Sequence, residues 1–143
     1  MIPSAGIIIF NKQKTKVLLV KHKEESLNLV GKVGFPSGQI RNREHVDVAL
    51  EKLYQESGIL AARKDLIELP FEYSAFIDRV DGTRKEFSMV NYLCTSWKGE
   101  LIETSEDKPF WFEVEKLSEL DLLPNVKKAV TDALHFVAAK HLA

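Results

Sequence analysis

The sequence predicts an α+β domain, an α/β/α sandwich in which helices flank a mixed sheet. Two patterns carry that expectation. Strand-like stretches arrive in pairs around turn signals, which favours antiparallel or mixed pairing over a doubly wound sheet. Two other segments, one central and one C-terminal, place apolar residues at helical spacing. At 143 residues, the whole of 1–143 is expected to form one domain of common size. Its 45% hydrophobic content suits a packed core.

The elements follow in order. Gly6–Phe10 is rich in β-branched residues and reads as a buried strand. Asn11–Lys14 is a polar turn, and Lys16–Lys21 reads as the returning strand of a hairpin. Lys23–Lys32 is a mixed polar loop. Val33–Ile40 is a short extended piece, interrupted by Pro36 and Gly38. A helix follows, with Val46, Ala49, Leu50 and Leu53 as its apolar stripe. Asn42 is its expected N-cap and Gly58 its stop. Pro70–Asp78 and Lys85–Trp97 flank the hairpin signal Asp81-Gly82. Phe110–Val114 is an aromatic strand. Pro124 leads into a last helix, striped by Val126, Ala129, Val130, Ala133, Leu134 and Val137.

Composition narrows the function. Twenty basic and 21 acidic residues leave a net charge of −1. No global basic field exists, so a nucleic-acid polymer is not an expected partner. Cys94 is the single cysteine, which precludes an internal disulfide and fits a reducing cytoplasm. Met1–Ile7 has no basic leader region, and no apolar run approaches the ~20 residues of a membrane span. A cytoplasmic protein without a membrane partner is expected.

The most informative stretch is Gly34-Phe35-Pro36-Ser37-Gly38-Gln39-Ile40, together with the helix end Leu53-Tyr54-Gln55-Glu56-Ser57-Gly58-Ile59. A glycine turn feeds an acidic helix that stops at a glycine, an arrangement able to hold a divalent metal against a phosphate. It resembles the signature of the Nudix hydrolase (MutT-like) family. That signature is a glycine, five residues, a glutamate, seven residues, then Arg-Glu-apolar-x-Glu-Glu-x-Gly-apolar. Gly38 and Glu44 keep the first spacing, and Leu53, Glu56, Gly58 and Ile59 match its end. The middle departs, so the box is degenerate. Six residues precede the arginine position, which holds Glu51. Lys52 and Gln55 replace two glutamates, and Ser37 stands where a glycine usually precedes Gly38. Asp107-Lys-Pro-Phe-Trp-Phe112 and Leu122-Leu-Pro-Asn-Val-Lys127 extend the likeness over nearly the whole chain.

The resemblance implies a Nudix-type sheet and cleavage of a nucleoside diphosphate linked to another group. Water attacks phosphorus while Mg²⁺ or Mn²⁺ neutralises the pyrophosphate; Mg²⁺ prefers oxygen ligands in octahedral geometry. On a helical wheel, Glu44, Glu51 and Gln55 fall opposite the core stripe, and Lys52 and Glu56 share a flank at ion-pair spacing. The resemblance nominates Glu56, Gln55, Glu44 and Glu106 as metal ligands, with Glu103 a further loop acid. Glu51 and Glu56 are the catalytic candidates. Lys21, Phe35, Gly38, Lys52 and Asn125 are the substrate-binding candidates.

Each has a plainer role. Glu44 and Glu51 suit a solvated helix face, Lys21 a strand end, Asn125 a helix cap, and Phe35 and Trp111 the core. The four histidines show no zinc spacing. Two functional readings remain. One is an atypical pyrophosphohydrolase acting on a small nucleotide. The other is an inactive Nudix domain that binds a nucleotide or other phosphorylated ligand, with Lys52 neutralising phosphate. A third, an interaction scaffold, would take its simplest form as a homodimer.

Overall fold

The computed structural model describes residues 1–23, 32–79 and 81–140. Strands β1 (Ile2–Ile8), β2 (Lys16–His22), β3 (Val33–Gly34) and β4 (Ser37–Gln39) precede helix α1 (His45–Ser57). Strands β5 (Leu66–Asp78), β6 (Arg84–Cys94) and β7 (Asp107–Glu113) precede helix α2 (Val126–Ala139). They build two sheets. One is mixed, in the order β4-β1-β6-β5, with β1 parallel to β6 and antiparallel to β4. The other is antiparallel, in the order β3-β2-β7.

The α/β/α sandwich follows from strands that are apolar on both faces. Ala5, Ile7 and Ile9 pack with Leu18, Val48, Ala49 and Leu53 on the α1 side. Ile8 and Phe10 pack with Val17, Leu19, Ala129, Val130 and Ala133 on the α2 side. This alternation is the period-2 rule of a strand. It explains why Ile7–Ile9 read as a continuous apolar run.

The expected first hairpin is corrected. The Asn11 turn exists: its Oδ1 accepts from the Thr15 and Lys16 backbone N–H groups at 2.8 and 2.9 Å. The two strands nevertheless join different sheets and meet only at the Phe10–Val17 bridge. β1 already has β4 and β6 as neighbours, and β2 has β3 and β7. β4 takes β1 at Ser4–Gly6 and β3 takes β2 at Val20–Lys21. Contact between the two is therefore confined to the end beside the turn, where the Leu18 N–H donates to the Ile9 carbonyl at 2.9 Å. β1 also begins earlier than expected, at Ile2.

Helix α1 differs in two respects. Glu44, not Asn42, occupies the N-cap position, without a side-chain cap bond. Asn42 lies in the preceding turn at φ 66°, a left-handed conformation that asparagine tolerates. The buried stripe is Val48, Ala49, Leu53 and Ser57, and Val46 is only half-buried. This rotation brings Lys52 and Glu56 to the half-buried edge of the helix. The stop is as expected. Gly58 has φ 84° and donates to the Tyr54 carbonyl at 2.9 Å. A Cβ there would lie 2.8 Å from the Glu100 carbonyl.

The later strands are shifted in their limits. β5 starts at Leu66 and passes a register irregularity between Glu68 and Glu72, around Pro70, which cannot donate to a ladder. β6 ends at Cys94, leaving Trp97 outside it, where it stacks on Trp111 at 5.5 Å. α2 buries Val126, Ala129, Val130, Ala133 and Val137, with Leu134 half-buried. The loop expected over Lys23–Lys32 falls largely outside the described residues, as does His141. Among the described residues, no helix is long and apolar enough to cross a membrane.

Leu53 is fully buried where α1 meets β1. Leu53→Ala should cost about 2–5 kcal/mol, as lost transfer energy plus a cavity term. Urea denaturation measures it. A loss under about 1 kcal/mol would contradict this packing.

Candidate functional site

A cavity of about 390 Å³ opens between α1, the β5–β6 hairpin and the start of α2. Phe35, Phe87, Met89 and Val126 supply apolar walls. Arg41, Arg43, Lys52 and Arg79 line it as well, against one carboxylate among the described residues, Glu51. One region therefore suits a flat apolar group and another an anion.

Lys52 decides what the signature helix can do. Its aliphatic stem lies across Gly38: a Cβ on residue 38 would sit 2.5 Å from Lys52 Cε and 2.8 Å from Cγ. With Lys52 in this conformation the stem takes the space that a side chain at residue 38 would fill. The ammonium donates to Gln55 Oε1 at 3.3 Å, and Gln55 Nε2 donates to Glu51 Oε1 at 3.3 Å. Arg43 pairs with Glu51 at 2.7 Å. Arg43, Glu51, Gln55 and Lys52 thus form one polar chain along the helix. The expected Lys52–Glu56 ion pair is not made, because Lys52 is drawn to Gln55.

Glu56 sits apart from that chain and accepts from the Ser37 backbone N–H at 3.3 Å. Burial raises its pKa to about 7. The nearby His22 opposes the rise, the Asp107 charge adds to it, and the Ser37 bond and Lys52 lower it. His22 Nδ1 donates to Asp107 Oδ1 at 2.9 Å. These two residues were not singled out in the sequence. Each lies just beyond an expected strand, His22 after Lys21 and Asp107 before Phe110, and Asp107 opens the Asp107–Phe112 segment of the resemblance. Both strands are longer than expected, Lys16–His22 and Asp107–Glu113. They lie 85 positions apart and meet because β2 and β7 pair His22 with Asp107 in register.

The other nominated acids are dispersed. Glu44 is exposed and pairs with Arg63. Glu103 pairs with Lys23. Glu106 is exposed, and its backbone carbonyl accepts from the Lys23 N–H at 2.7 Å. The acid of that loop whose charge bears on Glu56 is its neighbour, Asp107. Lys21 is exposed opposite Lys108 in the β2–β7 ladder, away from the cavity. Phe35 is both core and cavity wall. Trp111 packs on the α1 side, outside the cavity. Asn125 holds the α2 N-cap position at φ 67°, but its side chain does not cap. Instead its Nδ2 donates to the Ser74 carbonyl at 3.0 Å, on the cavity rim.

Mg²⁺ would need several oxygen ligands converging on one point. Among the described residues, no three His, Cys, Asp or Glu side chains gather so as to hold a metal ion. The described residues do not fit the ion that the signature implies. Glu56 is half-neutral near pH 7, Glu51 and Glu44 are paired to arginines, and a cation stands where a ligand is wanted.

The NUDIX domain family model matches residues 2–134. No match is found among curated proteins. Solved structures share the fold at low identity. The E. coli ORF135 protein aligns with a TM-score of 0.70 and 19% identity, over 98% of this chain and 93% of that one. A C. elegans Ap4A hydrolase in a binary complex gives 0.69 and 13%, over 97% and 99%. The NUDIX domain of Shewanella oneidensis NrtR, complexed with ADP ribose, gives 0.72 and 16%, over 96% and 88%.

The Glu56 shift has a stability consequence. Its carboxyl titrates near 4.5 when unfolded and near 7 when folded. Between those values the folded protein holds a proton that the unfolded chain releases. Stability should therefore fall as pH rises through about 4.5 to 7, then level off. Glu56→Gln removes this cost, so it should stabilise by up to about 3 kcal/mol above pH 8 and have little effect near pH 4. Urea denaturation across pH 4–8.5 tests it; parallel curves for the two proteins would refute the buried carboxyl.

Proposed function

The chain belongs to the Nudix domain family, and on that premise we propose that it is a nucleotide-binding module. It holds a small nucleotide or nucleoside diphosphate derivative in the cavity without metal-assisted hydrolysis. The observation that carries this reading is Lys52 lying over Gly38, with its ammonium tied to Gln55.

The cavity chemistry supports it. Among the described residues, four cations line the space against one carboxylate, and that carboxylate is already paired to Arg43. Such a surface attracts phosphate oxygens without an ion to neutralise them. The apolar walls of Phe35, Phe87 and Met89 suit a base. Lys52 supplies the charge that a metal would otherwise carry. The ADP ribose bound to the Shewanella domain shows that the fold accommodates such a ligand in that protein.

The hydrolase reading asks for a different arrangement. It needs Glu56 and at least one of Glu51, Gln55, Glu44 or Glu106 to turn toward one ion. Lost transition-state charge stabilisation of this kind is worth several kcal/mol, or orders of magnitude in rate.

A nucleotide panel separates the two readings. ATP, dGTP, ADP-ribose or Ap4A should raise the thermal midpoint in the presence of EDTA. No phosphate or pyrophosphate should be released when Mg²⁺ or Mn²⁺ is added. Lys52→Ala should weaken binding about tenfold, because a charge-assisted contact is lost. Metal-dependent turnover that disappears in Glu56→Gln would replace this proposal with the hydrolase.

A further inference from the structure

Strand β6 is apolar from Met89 to Cys94 except at Asn91. Asn91 is 1% exposed, and neither its Oδ1 nor its Nδ2 has a hydrogen-bond partner. Buried amides are almost always satisfied, so an orphaned one calls for an explanation. Two other buried polar side chains are satisfied: Ser57 bonds to Leu53 and Asp107 to His22.

The surroundings accommodate this amide. Gly6 is its register partner on β1, and Ser37 is the next residue in the same row on β4. A Cβ on residue 6 would lie 2.5 Å from Asn91 Oδ1, 3.2 Å from Met89 Sδ and 3.3 Å from Phe35 Cε2. The missing side chain at Gly6 makes room for the amide. Asn91, Met89 and Phe35 all line the cavity. At the rim, Asn125 already spends its Nδ2 on Ser74. Asn91 alone of these two offers both an unengaged donor and an unengaged acceptor.

Resting on the cavity assignment above, we propose that Asn91 reads the ligand's heterocycle. Its amide pairs with an edge that presents an adjacent donor and acceptor, as a nucleobase does. The carbonyl accepts from a ring N–H or exocyclic amine, and the NH₂ donates to the neighbouring ring nitrogen or carbonyl. Asparagine pairs with base edges in this bidentate manner elsewhere. A ligand with a saturated or fully methylated edge leaves the amide unsatisfied and is rejected.

Asn91→Leu, of similar size, tests the assignment, with Asn91→Ser as a second variant should the first fold poorly. Calorimetry compares nucleotides, ribose 5-phosphate, the free bases adenine, guanine and uracil, and N3-methyluracil. Nucleotide affinity should fall about 10- to 100-fold in the variant, while ribose 5-phosphate binding is unchanged. The ligand-free thermal midpoint should rise in Asn91→Leu, because two unsatisfied buried groups are removed. Wild-type protein should also prefer uracil to N3-methyluracil.

Undiminished nucleotide affinity in both variants overturns the proposal, as does a lowered midpoint with unchanged affinity, the result for a purely structural asparagine. The two readings fail separately. Asn91-dependent binding of free bases without nucleotides keeps this inference and sinks the nucleotide reading. Nucleotide binding insensitive to Asn91 does the reverse. Binding of neither class sinks both.

Discussion

The contact between the Lys52 stem and Gly38 organises the site. Burial of Val48, Ala49 and Leu53 fixes the rotation of α1. That rotation lays Lys52 over the glycine turn, where its stem occupies the space beside Gly38. The ammonium then reaches Gln55, Gln55 reaches Glu51, and Glu51 holds Arg43. A glutamate at position 52 would bring a carboxylate to the same place. The lysine places a positive charge at the cavity where a glutamate would place a negative one.

Glu56 is left in a different environment. It is the signature acid retained at the helix end, and the fold half-buries it near Asp107, with His22 and Lys52 as opposing charges. A carboxyl titrating near 7 is a poor permanent ligand for a hard cation, since the ion must first displace a proton. Its bond from the Ser37 N–H ties the end of α1 to β4. In this state Glu56 is a fastener between helix and turn.

Local pattern made much of the fold legible. The two apolar stripes, the Gly58 stop, the β5–β6 turn and the signature turn are each written within about ten residues of sequence. The sandwich and the mixed sheet follow from them. What escaped depends on distance along the chain. β1 and β2 look like a hairpin because the Asn11 turn is sound, yet each finds two other neighbours. His22 and Asp107 are joined only by strand register. Glu106 and Asp107 are adjacent in sequence, but Glu106 is exposed and Asp107 is buried, a difference that local pattern does not show. Lys52 and Gln55 were legible as substitutions, but the lysine stem filling the turn was not. Asn91 had a faint signal, a single amide within an apolar strand.

In the proposed binding module, Lys52 and its polar chain take the place of a metal ion. Manganese binding followed by electron paramagnetic resonance, without nucleotide, tests it most directly. Wild-type protein should show no saturable site below millimolar Mn²⁺, and the Lys52→Glu, Gln55→Glu double variant should acquire one. Tight Mn²⁺ binding by the wild-type chain, lost in Glu56→Gln, would contradict the account.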